Sequence, residues 1–406
     1  MWRKQSIHER GNSEFLTDAI KRLEKDAELR MRADSFLTAA AQAEPLIAES
    51  LLTPQSPKYH AEGPRLEDHL RSILTVLYAL DEEKLHCVDI EELRGMKGYE
   101  GEIDELEETI KENIEFYEIF AVCHDTAKWS TFYTDCPVGS RGEKMGFNLP
   151  ASARWNIETR AKTRRAYLDL YRQFTEMHAG ESPREQQWLF YLAYQIDVHY
   201  PGHGQAIHTP VYRQLLRRFA GVHQLKDRAA DILENIIGHH LEPMADFQTV
   251  APKKMEKYFA LARQYQYDAD DFIDLLQGAV FLDMVCSAKR RTGAGFFHEL
   301  YPLTHFLQSE FNFAPARRQL KIEQQVAEEK KQRNKIYKDI GLDGLGISKL
   351  FSLKPGPELG RHLKNLHDAI EGRGTLPSYT PTIDKELAKR VQLFYEKAFE
   401  KAGPDE

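Results

Sequence analysis

Apolar residues recur at helical spacing wherever they form a pattern, and no run alternates with period two, so the chain is predicted to be all-α without a core sheet. Residues 14–52 carry such spacing between Lys, Glu and Arg positions, and Pro54, Pro57, Gly63 and Pro64 then interrupt it. Over 66–80, Leu66, Leu70, Ile73, Leu74, Leu77 and Leu80 share one stripe, as in a helix that faces a core, and His69 rides on it. A second long helix is predicted through 103–133. Further helices are predicted at about 152–178, 185–198, 209–220, 226–241, 254–264, 269–291 and 297–310.

The stretch from Cys136 to Pro150 is rich in Gly, Pro and Ser and reads as an exposed loop, long enough for a lid. Its GSRGEK lacks the spacing of a phosphate-cradling P-loop. Residues 313–340 are strongly charged, as in an exposed helix, and a helical module near 354–372 follows the Gly-broken GLDGLG. The predicted organisation is a helical N-terminal arm over 1–57, a helical bundle over 58–312, and a charged helix with a helical tail over 313–406.

Composition narrows the function classes. Hydrophobic residues are 42% and charged residues 29% of the 406, which suits a folded chain with a sizeable core. The net charge of -8 means that the molecule as a whole does not attract polyanions, so any nucleic-acid contact needs a local basic patch. No apolar run is long enough for a signal peptide or a membrane span, and the four cysteines form no C-x-x-C pair, so the expected location is cytoplasmic and thiol chemistry is not the centre of function.

Sixteen histidines bring in the candidate chemistry. His69 lies on one apolar helix, His124 and Asp125 follow the apolar IFAVC, His203 follows a Pro-Gly turn, His239 and His240 end a helix, and Asp283 sits inside FLDMV. Charged or polar side chains in such apolar surroundings need partners, and a divalent ion is one. Imidazole and carboxylate together suit Mn, Ni, Co, Fe or Zn, and ligands from several helices can converge in one cavity, with one or two ions per chain.

This ordered series resembles the HD superfamily of metal-dependent phosphohydrolases, and CHDTAKW is similar to its H-D-x-x-K signature. The blocks KYHAEGPRLEDHLRSILTVL, YPGHGQAIHTPVYRQLLRRF and IIGHHLEP resemble successive parts of the HD region of bacterial CCA-adding and poly(A) polymerases. The tail KPGPELGRHLKNLHDAIEG is similar to the segment that follows there, so the resemblance covers roughly 58–375. Those polymerases carry a nucleotidyltransferase head with Gly-Gly and paired-carboxylate motifs. The first 57 residues here lack them, so polymerisation is not expected.

The resemblance implies that His69, His124, Asp125 and Asp283 form the basic metal set and that His203, His239 and His240 belong to a second position. Adjacent helical residues diverge by about 100°, so His239 and His240 cannot both point down one axis; His239 is the expected ligand and His240 a second-position ligand or phosphate contact. Lys128, four residues after His124 and three after Asp125, is expected beside the metal on the same face. Ser287 and Arg290, at i+4 and i+7 from Asp283, are expected to reach a substrate phosphate.

His60, in HAEG, is either a loop cap or a substrate contact. His199, His208 and His223 fall outside the blocks and are expected at the surface or in caps. Arg160, Lys162, Arg164, Arg165 and Arg172 make a basic helix that either tracks a nucleic-acid backbone or is a solvated face. The expected reaction is attack of metal-activated water on a phosphoester of a nucleotide or RNA end, such as a 2′,3′-cyclic phosphate, with Asp125 and Lys128 as catalytic groups. A single-stranded nuclease and a non-catalytic RNA-binding module are the alternatives, and no protein partner is indicated.

Overall fold

The structure, a computed structural model, describes residues 14–15, 22–23, 25–287, 289–290, 300–339, 343–351, 354–370 and 389. The fold is all-α. Its helices of eight residues or more are α1 (Ala27–Ala43), α2 (Leu66–Asp81), α3 (Glu100–Glu112), α4 (Ile114–Cys123), α5 (Ile157–Met177), α6 (Pro183–Tyr194), α7 (Pro210–Val222), α8 (Asp227–His239), α9 (Met255–Gln264), α10 (Ala269–Cys286), α11 (Tyr301–Asp339), α12 (Gly344–Phe351) and α13 (Pro357–Ile370). Contacts divide the chain into two compact units, Met1–Phe313 and Ala314–Glu406. Pro315, which cannot donate a helical hydrogen bond, lies inside α11 just past that division.

In the first unit α2 lies at the centre. It packs against α1, α4 and α10, and α8 closes over α4 and α10. Leu70, Ile73, Leu74 and Leu77 of α2 meet Ile119 and Phe120 of α4 and Leu276 and Val280 of α10 in one fully buried core. Local chemistry starts these helices where they start. Asp26 accepts hydrogen bonds from Glu28 N and Leu29 N at the head of α1, Asp68 accepts from Arg65 N at the head of α2, and Asp268 accepts from Asp270 N at the head of α10. A second, aromatic core of Phe132, Phe147, Tyr167, Phe174, Phe190 and Tyr194 joins α5 and α6 to a small ribbon.

That ribbon departs from the sheet-free expectation. β2 (Tyr133–Asp135) pairs antiparallel with β3 (Asp197–His199), and β1 (Glu14–Phe15) with β4 (Lys289–Arg290). Each is too short for period two to register in sequence. The predicted helix over 103–133 is broken twice. Asn113 ends α3, its Nδ2 donating to Thr109 O at 2.8 Å. After Cys123 the Thr126 hydroxyl donates to Val122 O at 2.9 Å, and the chain turns through His124–Ala127 before the single turn Lys128–Thr131.

Other boundaries shift for similar reasons. The helix predicted to 198 stops at Tyr194 because Gln195 adopts φ 54, and the one predicted to 291 stops at Cys286 where Ser287 turns extended. The segments predicted separately at 297–310 and 313–340 are the single helix α11. The Cys136–Pro150 stretch is not a free lid. Tyr133 Oη donates to Leu149 O, Thr134 Oγ1 donates to Phe147 O, and Gly142 is buried where a Cβ would come within 2.6 Å of Ile196.

Two predictions follow from this packing. A Cβ at Gly278 would overlap the Tyr117 hydroxyl and come 2.6 Å from Cζ, and Tyr117 is wholly buried with its hydroxyl donating to Leu275 O at 3.1 Å. Gly278→Ala is therefore expected to cost about 2 kcal/mol, read as a lowered midpoint of denaturant unfolding.

The second concerns charge. Asp274 of α10 and Glu310 of α11 lie close together, and burial, then repulsion among the carboxylates there, pushes them up to about 7 and about 8. Gln277 Nε2 donates to Glu310 at 2.5 Å but does not offset the charge. A carboxyl group whose folded pKa is raised destabilises nothing below its unfolded pKa and increasingly more as pH rises to its folded value. Glu310→Gln is thus expected to match the parent's Tm at pH ~4.5, near the unfolded carboxyl pKa, and to exceed it by several degrees at pH ~9.

Candidate metal centre

All the candidate ligands expected from the sequence but His203 are delivered by the end or inner face of a core helix or by the residues that follow it. His69 points from the first turns of α2, His124 is the C-cap of α4 with Asp125 next, His240 is the C-cap of α8, and Asp283 lies in the last turn of α10. His203 comes from a loop turned at Gly202, where φ is 72. All six are buried, His69 and His240 completely.

Their functional atoms converge. Asp125 directs one oxygen at each side of the cluster: Oδ2 is 3.3 Å from His124 Nε2, and Oδ1 is 3.1 Å from His203 Nε2. His69 Nε2 lies 3.2 Å from Asp283 Oδ1, and His240 Nε2 lies 4.0 Å from Asp283 Oδ2. Besides His60, Glu62 and His69, two donor sets among the described residues have all their ligand atoms within 4.8 Å: His69, His124 and Asp125, and Asp125, His203 and His240. Asp125 belongs to both.

The opposite edge of each imidazole is tied down. His124 Nδ1–H donates to the carbonyls of Phe120 and Ala121, His203 Nδ1–H to Tyr200 O at 2.8 Å, and His240 Nδ1–H to Ile237 O at 2.7 Å. A carbonyl can only accept, so these three rings carry a proton on Nδ1 and turn Nε2, the nitrogen that can ligate a cation, toward the centre. Glu62 Oε1 lies 3.0 Å from His69 Nδ1 and also accepts from His60 Nδ1 at 2.8 Å. The Nε2 atoms of His69, His124, His203 and His240 and both oxygens of Asp125 are buried without a well-aligned hydrogen bond. Lone pairs aimed inward from rings oriented by carbonyls and a carboxylate are the donor set a divalent cation requires, so the residues fit a metal.

Charge balance agrees. Burial opposes the Asp125 carboxylate, but His124 and Lys128 beside it hold its pKa well below the usual range. Burial likewise opposes Asp283, and His69 holds it low. Burial disfavours a charged His69, yet Asp283 and Glu62 raise it to about 9, while burial and His124 push His240 down to about 4. The cluster is rich in anionic and lone-pair donors, and the His69 proton is what a cation there would displace.

Lys128 meets Asp125 Oδ2 at 2.5 Å, although the expected continuous helix is absent, because the turn after Asp125 preserves the approach. Ser287 is the C-cap of α10, its hydroxyl donating to Asp283 O, and it lines the cavity beside the cluster. That cavity, of about 460 Å³, is also lined by His60, Lys128, Tyr200, Leu241, Met244 and Met284.

Of the two adjacent histidines, His240 stands where a second-position ligand was expected, whereas His239, the expected ligand, does not. His240 is in the cluster, and His239 faces away, its Nδ1 bonded to Glu242 at 2.7 Å. The 100° divergence holds, but α8 ends at His239 and the ring that falls on the core side is the next one. The helix expected to carry Arg290 ends at Cys286, and Arg290 instead pairs in β4 with Glu14; its side chain lies outside the described residues. His208 bonds Glu234 at 3.0 Å and His223 packs on Phe219, both away from the cluster, whereas His199 lines the cavity mouth. Glu62 was missed by the sequence reading, since an acidic loop residue carries no periodic signal; only its place in the HAEG block marked it.

Comparison with family models, with curated proteins and with solved structures returns no match. Fold and site together define a helical protein with a buried His and carboxylate centre able to hold a divalent ion.

Glu62 and His240 supply the test. Glu62→Gln is expected to weaken Mn or Ni binding roughly 10- to 100-fold in calorimetric titration, the usual effect of losing the group that orients a ligand. His240→Ala is expected to lower the number of ions bound at saturation, and His239→Ala to leave it unchanged.

Proposed function

We propose that the chain is a metal-dependent phosphoesterase of the HD type that acts on nucleotides or nucleic-acid ends. The observation that carries this reading is the inward convergence of four imidazole Nε2 atoms on Asp125 and Asp283, with the Nδ1 atoms of His124, His203 and His240 bonded to backbone carbonyls behind them. The order of these residues along the chain is the one on which the HD resemblance rests. Mn, Ni, Co, Fe or Zn fits the donors, one or two per chain.

A metal held by His69, His124, Asp125, His203, His240 and Asp283 would supply a water of lowered pKa as nucleophile and would polarise the phosphoryl group. The chain's own groups do the rest. Asp125 spans both donor sets, one oxygen to each, and keeps its charge despite burial. Lys128 is held between Asp125 and the Tyr200 ring, at 5.3 Å, with its ammonium on the cavity wall, where it offsets charge that grows on a phosphoryl oxygen. His60, bonded to Glu62, and Ser287 line the same cavity and would contact a substrate held in it. Among the described residues the cavity serines bond only to backbone, Ser287 Oγ donating to Asp283 O and Ser56 Oγ accepting from Lys58 N, and the proposed route is direct hydrolysis.

A cavity of about 460 Å³ holds a group the size of one nucleotide. Leu241, Met244 and Met284 give it an apolar wall for a base or ribose, and a terminal 2′,3′-cyclic phosphate is a substrate of that size. The four cysteines are buried free thiols, which suits a reducing, cytoplasmic setting. No helix among the described residues is long and apolar enough to cross a membrane.

Two variants test the reading. Asp125→Ala is expected to abolish metal binding and hydrolysis of bis(p-nitrophenyl) phosphate together. Lys128→Ala is expected to retain its metal and to lose turnover about 10- to 1000-fold, the scale of one lost transition-state charge contact. Unchanged hydrolysis by Asp125→Ala of every ester that the parent cleaves would remove this centre as the active site. Cleavage of a circular single strand, which has no ends, would favour the nuclease.

A further inference from the structure

Four cation–aromatic pairs lie on the segments that frame one side of the metal cavity. Lys128 Nζ is 5.3 Å from the centre of the Tyr200 ring, Arg154 Cζ 5.0 Å from Tyr133, Arg160 Cζ 5.3 Å from Trp155, and Arg164 Cζ 3.7 Å from Trp129. These segments are joined: β2 pairs Tyr133 with His199 of the cavity mouth, and α5 packs on the turn Lys128–Thr131. Trp155 also reaches toward the metal side, since a Cβ at Gly202, next to His203, would meet its ring at 4.0 Å.

Trp155 and Arg160 are each unusual, in opposite ways. Trp155 is 66% exposed, a large aromatic surface left in water. Arg160, beneath it, is only 6% exposed; Nη1 donates to Ser130 O at 3.4 Å, while Nε and Nη2 have no partner among the described residues. Burial alone lowers its pKa, with no carboxylate beside it to raise it. A buried guanidinium without a counter-anion is weakly screened, so the indole face above it sits in positive potential. Acidic neighbours are present at the margins, Glu49 toward Arg164 and Asp135 against His199 at 3.2 Å, and Glu158 is exposed on α5. None of them is paired with Arg160.

A polyanion with flat faces meets both halves of this surface. Bases stack on exposed aromatic rings whatever their sequence, and phosphates follow the cations. A duplex hides its base faces, so the fit is to an unpaired strand. The cavity has room for about one nucleotide, and a longer strand has to leave across its rim. Because the whole chain carries -8, the attraction has to be local.

We propose that this cation–aromatic ledge binds single-stranded nucleic acid leading into the metal cavity, with an unpaired base on Trp155 and backbone phosphates drawn to Arg154, Arg160 and Lys162. The proposal rests on the phosphoesterase reading only for where the strand end lies; the ledge itself is independent of turnover.

The test is fluorescence anisotropy of a labelled 12-nucleotide single strand (a length of about one single-strand site) with the full chain, in chelator so that nothing is cleaved. Trp155→Ala, at an exposed position, is expected to weaken binding about 10-fold, the effect of one lost base stack. Arg154→Glu, also exposed, is expected to weaken it and to flatten its salt dependence. A hairpin duplex of the same length is expected to bind more weakly than the single strand and to be insensitive to Trp155→Ala. No binding by the parent, or single-strand affinity unchanged in both variants, overturns the ledge. So does equal binding of duplex and strand. Hydrolysis of bis(p-nitrophenyl) phosphate by the parent reports separately on the phosphoesterase reading. Hydrolysis with unaltered strand binding in the variants sinks the ledge alone, and loss of strand binding in the variants of an inactive parent supports the ledge while sinking the esterase.

Discussion

The centre of the first unit is organised around one buried carboxylate. Asp125 is 1% exposed, and its charge survives because His124, Lys128 and His203 approach it from different sides. A single anion so deep in an apolar core costs several kcal/mol unless it is matched. The fold meets that cost with helix ends rather than helix faces. His124 and His240 are C-caps, Asp283 sits in a last turn, and His203 hangs from a glycine-turned loop. Helix ends and the loop at Tyr200 bring backbone carbonyls within reach, and these accept from the Nδ1 edges of His124, His203 and His240 and aim the rings inward.

This arrangement explains why the core around α2 is so uniformly apolar. Leu70, Ile73, Leu74 and Leu77 pack fully against α4 and α10, which holds the three helices at fixed spacing, so that the polar atoms at their ends stay within ligand range. Glycine at 278 belongs to the same requirement, because only a residue without a side chain lets α10 approach Tyr117 of α4 so closely. Packing and site are therefore coupled through the relative position of α4 and α10. The aromatic core of α5, α6 and the β2–β3 ribbon carries the other wall of the cavity, where Lys128, Tyr200 and the cation–aromatic pairs lie.

Much of the centre was legible beforehand because polar residues in apolar runs stand out. His69 on a leucine stripe, His124 and Asp125 after IFAVC, and Asp283 in FLDMV each break a burial rule, and these four meet in space. The basic residues of α5 were visible as a charged run, but nothing in the run singled out Arg160 as the buried one or Trp155 as its exposed cover. Glu62 carried no periodic signal, since its partners are His60 and His69 and its role exists only when the loop folds over α2.

What the sequence by itself determined was the helical period, the apolar faces and the identity of most polar residues that had to be buried, because these depend on residue type and spacing along one element. What only the tertiary structure decided was direction. His240 rather than His239 enters the cluster because α8 ends between them, the helix predicted through 103–133 turns at His124 because Thr126 competes for a backbone carbonyl, and the helix predicted to carry Asp283 and Arg290 together stops at Cys286. Helix ends are set by competition among hydrogen bonds of nearly equal strength, and packing from distant elements tips that balance. A helical period carries no record of those distant contacts.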